Sequence, residues 1–201
     1  MKQIVVASNN KGKLEELNTI FATYGIEIVP QQALKVPEAD EPHITFIENS
    51  LHKARHCARI TGLPALADDS GICVTAFGGK PGIYSARYAG TPKSDVNNLN
   101  KLLDEMKNID NRAAYFYCSL VFVRSYDDPQ PIIAEGIFCG EISREARGQF
   151  GYGYDPIFLI PELGKTAAEL GTSEKNRISH RGQAMQQMIA KLKQFNLISG
   201  E

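Results

Sequence analysis

Gln3-Ile4-Val5-Val6-Ala7 is followed by Ser8-Asn9-Asn10-Lys11-Gly12-Lys13, and then by Leu14, Leu17, Ile20, Phe21 and Tyr24 at helical spacing. Gly25 and Ile26-Glu27-Ile28-Val29 close this opening segment, whose reading decides the fold class. The first run is short and β-branched with no alternation, as in a strand buried on both faces. The polar run is a loop, the spaced apolar residues are one face of a helix, and Gly25 stops that helix. The second β-branched run is another strand. Strand, loop, helix and strand in that order predict a parallel α/β sheet. The loop precedes a helix N-terminus, where backbone N–H groups and the helix dipole favour an anion, and Lys11 and Lys13 add positive charge. It does not have the Walker spacing. The alternative reading of these residues is a capped helix start with solvated lysines.

Working outward, Pro64-Ala65-Leu66-Ala67 leads into Asp68-Asp69-Ser70-Gly71, and Ile72-Cys73-Val74 follows at once. Two acids between buried runs are costly unless a partner holds them charged, and a divalent cation is one such partner. The alternative is a polar turn between two strands, because Asp-Ser-Gly is ordinary turn chemistry. Between these segments lies an acidic loop containing Glu41. Thr45-Phe46-Ile47-Glu48 matches a capping box, with Glu48 reaching back to the cap. The helix it opens runs to about Thr61 and ends at Gly62. Its basic face carries Lys53, Arg55, His56 and Arg59. Glu48 thus has a structural role, which leaves Glu41 as the better second acid for a metal.

Glycine-rich Phe77 to Gly90 predicts sharp turning around an exposed Arg87. Ser94 to Met106 is an amphipathic helix with Val96, Leu99, Leu102, Leu103 and Met106 inward. Ala113 to Val123 and Ile132 to Ile142 are long strands joined by a hairpin-type connection, which makes the sheet mixed. In Gly148 to Phe158, glycines alternate with aromatic residues. Rings there are either stacking platforms for a planar base or a packed turn. Lys175, Arg177, His180 and Arg181 form a basic cluster before a last helix, whose Met185, Met188, Ile189 and Leu192 read as core.

Composition excludes several classes. The chain has 201 residues with 43% hydrophobic and 22% charged residues, ordinary for a globular protein. A net charge of −1 gives no bulk attraction to nucleic acid or membrane. The four cysteines lack metal-site spacing and are expected to be buried free thiols. The apolar run at the N-terminus is too short for a signal-peptide core, and no stretch has the length of a transmembrane helix. A cytoplasmic protein of one domain, residues 1–201, is expected.

Ser8 to Lys13, Thr45 to Ser50, Ala67 to Gly71, Pro81 to Tyr88, Gly153 to Phe158 and Ser179 to Gly182 resemble, in order and over nearly the whole chain, the inosine/xanthosine triphosphate pyrophosphatases. The resemblance implies an α/β fold, a mixed β-sheet with flanking helices in two lobes around a long central cleft. It implies Mg²⁺-dependent hydrolysis of ITP, dITP or XTP to the monophosphate and pyrophosphate, and a homodimer. By the same resemblance, Ser8, Asn9, Asn10, Lys11, Gly12 and Lys13 hold the triphosphate. Asp69 accepts a proton from water and contacts the metal, with Asp68, Glu41 and Glu48 as further metal candidates, and Ser70 binds substrate. Tyr152, Gly153, Tyr154, Asp155, Lys175, His180 and Arg181 recognise the base. A 6-oxopurine offers an N1–H donor to Asp155 and an O6 acceptor to Arg181, and adenine reverses both. Two positions depart from the family: Tyr152 stands where Phe is usual, and Pro42-His43 where Thr-Gly is common. A Maf-like pyrophosphatase lacks support, because its Ser-x-Ser-Pro-Arg-Arg loop is absent. A non-catalytic nucleotide sensor would not need the Asp68-Asp69 pair.

Overall fold

The computed structural model describes residues 2–199, with the side chains of residues 11, 16 and 172 outside that description. The expected phosphate contact from the Lys11 side chain therefore lies outside the described residues. Among the described residues, seven strands form one sheet in the order β2-β1-β3-β4-β5-β6-β7: Gln3–Val6 (β1), Glu27–Pro30 (β2), Ala65–Val74 (β3), Ala113–Val123 (β4), Ile132–Ile142 (β5), Phe158–Ile160 (β6) and Lys165–Thr166 (β7). Among the described residues, five α-helices accompany it: Lys11–Ala22 (α1), Phe46–Thr61 (α2), Asp95–Glu105 (α3), Thr172–Ile178 (α4) and His180–Gln194 (α5). β1 pairs in parallel with β2 and β3, whereas β6 pairs antiparallel with β5 and β7. The expected mixed α/β sheet is thus borne out. No helix among the described residues is long and apolar enough to cross a membrane.

The chain divides into two compact units. The first contains the residues up to Asp69, Ser119–Glu135 and the residues from Ala184 onward; the second contains Ser70–Cys118 and Gly136–Gln183. In the first, Ile4 and Val5 are fully buried, as the unalternating run at β1 predicts. α2 turns Ala54, Cys57 and Ala58 toward Val5, Ala65, Ala67, Val121 and Val123. Small residues let a helix lie close to a sheet. Thr45 caps α2 by accepting the Glu48 N–H (3.2 Å), but its hydroxyl, not its backbone, donates to the Glu48 carboxylate (2.6 Å). The reciprocal half of the capping box is therefore replaced by a side-chain pair. Gly62 closes the helix with φ at 68°, where a Cβ would be strained.

In the second unit, Ile72, Leu102, Met106, Ile142, Ile157 and Phe158 form a buried core. α3 begins one residue after its cap, Ser94, whose hydroxyl accepts the Asn97 N–H. Val96 was expected inside but is 66% exposed. The buried polar residue of α3 is Asn98, which accepts from Ala89 N–H (2.7 Å) and donates to the Ala86 carbonyl (3.1 Å). The helix thus anchors the glycine-rich segment rather than only covering apolar surface. Arg87 is half-buried rather than exposed, its guanidinium 5.2 Å from the Tyr84 ring centroid. Cys139 also departs from expectation: it is exposed, while Cys57, Cys73 and Cys118 are buried.

Of the two readings of Asp68 to Gly71, the structure excludes the polar turn. No turn forms there, and all four residues lie inside the continuous strand β3. Gly71 is needed for close approach instead. A Cβ there would lie 2.3 Å from the Gly82 carbonyl oxygen and 2.5 Å from Ser85 Oγ. Ser85 Oγ in turn accepts the Ile72 N–H (2.9 Å) and donates to the Gly82 carbonyl (2.6 Å). Gly71→Ala is expected to destabilise the protein by about 1–3 kcal/mol through overpacking, read as a lower denaturation midpoint. An unchanged midpoint would show that the 82–90 segment yields freely.

Candidate active site

Successive residues of a strand point to opposite faces, and the two acids of β3 accordingly meet different cations. Lys13, in the first turn of α1, places Nζ 2.7 Å from Asp68 Oδ2. Lys53, from α2, places Nζ 2.9 Å from Glu41 Oε1 and 3.3 Å from Asp69 Oδ1. The sequence places Lys53 on the basic face of α2 with Arg55, His56 and Arg59. It lies instead on the stripe of Asn49 and Cys57, spaced by four residues, and both of those are fully buried. That spacing was the available signal. Asn49 holds the preceding loop, accepting from His43 N–H (3.0 Å) and donating to the His43 carbonyl (3.2 Å). The Pro42-His43 departure therefore leaves Glu41 beside Lys53.

Asp69 Oδ2 is buried and has no hydrogen-bond partner among the described residues. Burial pushes the Asp69 carboxyl up to about 6, with Lys53 opposing and Glu41 and Asp68 reinforcing. For Lys53, burial acts to lower the pKa, but Asp69, Asp68 and Glu41 together raise it. The group is therefore a charged ammonium among three acids. No cluster of three or more His, Cys, Asp or Glu residues among the described residues is close enough to hold a metal by itself. A hard divalent cation that keeps waters and takes only one or two carboxylates still fits the all-oxygen donor set and the orphaned Asp69 Oδ2. Glu48 is drawn away from this group by Thr45.

The loop before α1 is an ordered cap. Asn10 Oδ1 accepts the Lys13 N–H (3.2 Å), Ser8 Oγ accepts the Asn10 N–H (3.2 Å), and Asn9 donates to Glu38 (2.7 Å). Gly12 leaves only ordinary contact, 3.5 Å, between a hypothetical Cβ and Asn10 Oδ1. Asn10 thus satisfies one of the first N–H groups of the helix, and Lys13 is ion-paired rather than solvated.

The second unit holds a cavity of about 140 Å³ whose walls include Ser70, Phe116, Tyr152, Asp155, Lys175, His180 and Arg181. Asp155 is 3% exposed. Its Oδ2 accepts the Tyr152 N–H (2.8 Å) and pairs with the Lys175 ammonium. Gly151 clears this carboxylate, since a Cβ there would lie 2.2 Å from Asp155 Oδ2. Lys175 Nζ also sits 4.8 Å from the Tyr152 ring centroid. Arg181 donates to the Tyr152 hydroxyl and, at 3.4 Å, to Ser70 Oγ. The hydroxyl that distinguishes Tyr152 from the usual Phe therefore has a partner. The His180 ring stacks on Phe116 at 4.9 Å. Tyr154 differs from Tyr152: it is 6% exposed and donates to the Ser85 carbonyl (2.7 Å), so it belongs to the packed core as well as the cavity wall. Gly153 donates its N–H to Asp95 (3.1 Å).

The model of the Ham1 family matches residues 4–191. The chain belongs to the Ham1 family. Among its Ham1 relatives, a dITP/XTP pyrophosphatase of Ralstonia nicotianae is 57% identical over 97% of this chain and 98% of its own length. Another dITP/XTP pyrophosphatase, of Chromobacterium violaceum, is 56% identical over 95% of this chain and 97% of its own length. The solved HAM1 protein of Coxiella burnetii superposes with a TM-score of 0.93 at 44% identity, covering 96% of this chain and all of that one. The resemblance drawn from the quoted segments is thereby borne out. Within this Ham1 chain, Asp69 and Ser70 are consecutive in β3, so one strand carries both the buried carboxylate and the first residue of the cavity wall.

Proposed function

We propose that the chain hydrolyses ITP, dITP and XTP to the nucleoside monophosphate and pyrophosphate with Mg²⁺, residues 1–201 working as one catalytic domain. The observation that carries this reading is Asp69: a buried carboxylate, orphaned at Oδ2, pushed up to about 6, beside Lys53. At neutral pH such a group is ionised yet more basic than an ordinary carboxylate, which suits a general base. Water adds across the α–β anhydride, its proton passes to Asp69, and pyrophosphate leaves. Asp69, with Glu41 or Asp68, would hold Mg²⁺, which when bound neutralises charge on the phosphoryl oxygens. Lys13 and Lys53 hold the carboxylates in place and add positive charge for the phosphates. The loop Ser8 to Lys13 supports the triphosphate.

The base enters the cavity of the second unit. The exposed ring of Tyr152 stacks on it, and Lys175 and Arg181 offer donors to a 6-oxo group. The buried Asp155 holds Tyr152 and Lys175 in register and accepts from N1–H. A site built to pair with these groups rejects adenine by roughly 10⁴-fold. A pyrophosphate-release screen of ITP, dITP, XTP, ATP and GTP, with and without Mg²⁺, tests the proposal. Release of one pyrophosphate per ITP, dITP or XTP is expected, at least 10²-fold faster than from ATP and only with the cation. Equal rates on all purines, or orthophosphate as product, would overturn it.

A further inference from the structure

A second cavity, of about 330 Å³, lies in the first unit along α2. Its walls include His43, Glu48, His52, Arg55, His56 and Arg59. Positions 48, 52, 55, 56 and 59 recur at helical spacing and form one stripe. None of these residues takes part in the carboxylate–lysine group or in the cavity of the second unit. Lys53, on the same helix, is turned to Glu41 and Asp69.

Two of the lining groups are permanent cations, and both are held in place. Arg55 Nη2 donates to the Asp128 carbonyl (3.2 Å), and the Arg59 guanidinium lies 5.3 Å from the Tyr126 ring centroid. Arg55 Nε is buried and has no hydrogen-bond partner among the described residues. A buried N–H without an acceptor is costly, and an acceptor entering the cavity would remove that cost. The protein's own wall offers little: its one carboxylate, Glu48, is engaged by the Thr45 hydroxyl at 2.6 Å. Three imidazoles complete the wall. The His43 and His52 rings lie 5.4 Å apart, edge to face, and His56 Nε2 contacts the Pro37 carbonyl at 2.9 Å. Two guanidiniums and three imidazoles around one space, with the single carboxylate already engaged, suit an anion as its occupant.

We propose that this cavity is a second anion site that takes a phosphate group, separate from the substrate's phosphates. Guanidinium forks match phosphate oxygens in geometry. The volume exceeds what one orthophosphate fills, so pyrophosphate and the phosphate of a nucleoside monophosphate are the two further sources of the same chemistry. The charge state of His52 reports occupancy. Burial lowers its pKa, His43 and His56 lower it further, and Asp40 opposes them. Arg55, Arg59 and Glu48 are the remaining charged groups on the wall. An anion among them raises the His52 pKa.

The test is an NMR titration of the His52 and His56 ring protons in the full chain, without metal and at constant ionic strength. Orthophosphate, pyrophosphate and a nucleoside monophosphate are added in separate arms, with chloride as reference. A saturable shift is expected in at least one phosphate arm, with the His52 pKa rising by roughly one unit. Chloride gives no such shift, and the arm with the lowest apparent Kd names the source. Arg59→Ala and Arg55→Lys each weaken the response at least tenfold. Arg59 is exposed, so its replacement leaves the fold and ITP turnover intact. An equal shift with chloride, or an undiminished phosphate response in both variants, would overturn the proposal.

Discussion

Asp69→Asn is expected to reduce pyrophosphate release from ITP by about 10²–10⁴-fold, the range for loss of a general base. The fold of the variant should survive. The pH dependence of stability gives a second, independent readout. The folded Asp69 carboxyl titrates at about 6 against an ordinary value of 3.8. A carboxyl raised on folding favours the native state while both forms hold the proton. The benefit is lost as pH rises from the unfolded value through the folded one. Above pH 6 the ionised, buried group therefore opposes folding by about 3 kcal/mol at most. Asparagine removes that penalty but deprives Lys53 of one partner, so the net gain is smaller. In metal-free buffer, the Tm of the variant relative to the natural chain should be more favourable at pH 7.5 than at pH 4. A pH-independent difference would show that Asp69 is an ordinary carboxylate. Near-normal turnover would remove it as the base.

Why the acids of β3 could also be read as a turn bears on what a sequence can show. The β1-α1-β2 opening is a local pattern of burial and helical spacing, so its parallel pairing was legible. β4 and β5 were legible to their end residues, because long β-branched and aromatic runs have few other uses. Gly71 was not, since its reason is the approach of Gly82 and Ser85 from later in the chain. A glycine after Asp-Ser looks the same whether it turns or makes room. Lys53 was hidden for a similar reason. Its partners come from a loop and from a strand, Glu41 and Asp69, and only its place on the Asn49–Cys57 stripe hinted that it faces inward. Tyr152 and Tyr154 differ by two positions and share the same glycine-rich context. The Ser85 carbonyl decides which ring is buried, and no local pattern reports that carbonyl. Asp155 shows the converse. The family resemblance implied base reading for it, while its burial beneath Tyr152 and Lys175 adds a positioning role that composition cannot reveal.

Lys53→Met is expected to have the largest effect on stability and a loss of turnover comparable to that of Asp69→Asn. Lys53 Nζ lies within ion-pair distance of both Glu41 and Asp69, and its side chain is 13% exposed. Removing one partner of a buried pair leaves the other charge uncompensated. The cost is roughly 3 kcal/mol, at the low end for buried pairs because Glu41 remains 29% exposed. The defect should depend on pH. Without Lys53 the neighbouring Asp68 and Glu41 raise Asp69 further, so protonation relieves the strain at mildly acid pH. The Tm deficit should then be large at pH 7.5 and much smaller at pH 5. A divalent cation offers the same relief by another route. Mg²⁺ should raise the Tm of Lys53→Met more than that of the natural chain, because the ammonium and the cation compete for the same oxygens. Asp69→Asn in the Lys53→Met background should abolish the excess effect of Mg²⁺. A uniform Tm loss at every pH, insensitive to Mg²⁺, would mean that Lys53 acts through packing of its aliphatic stem, and that the carboxylates beside it are not a cation site.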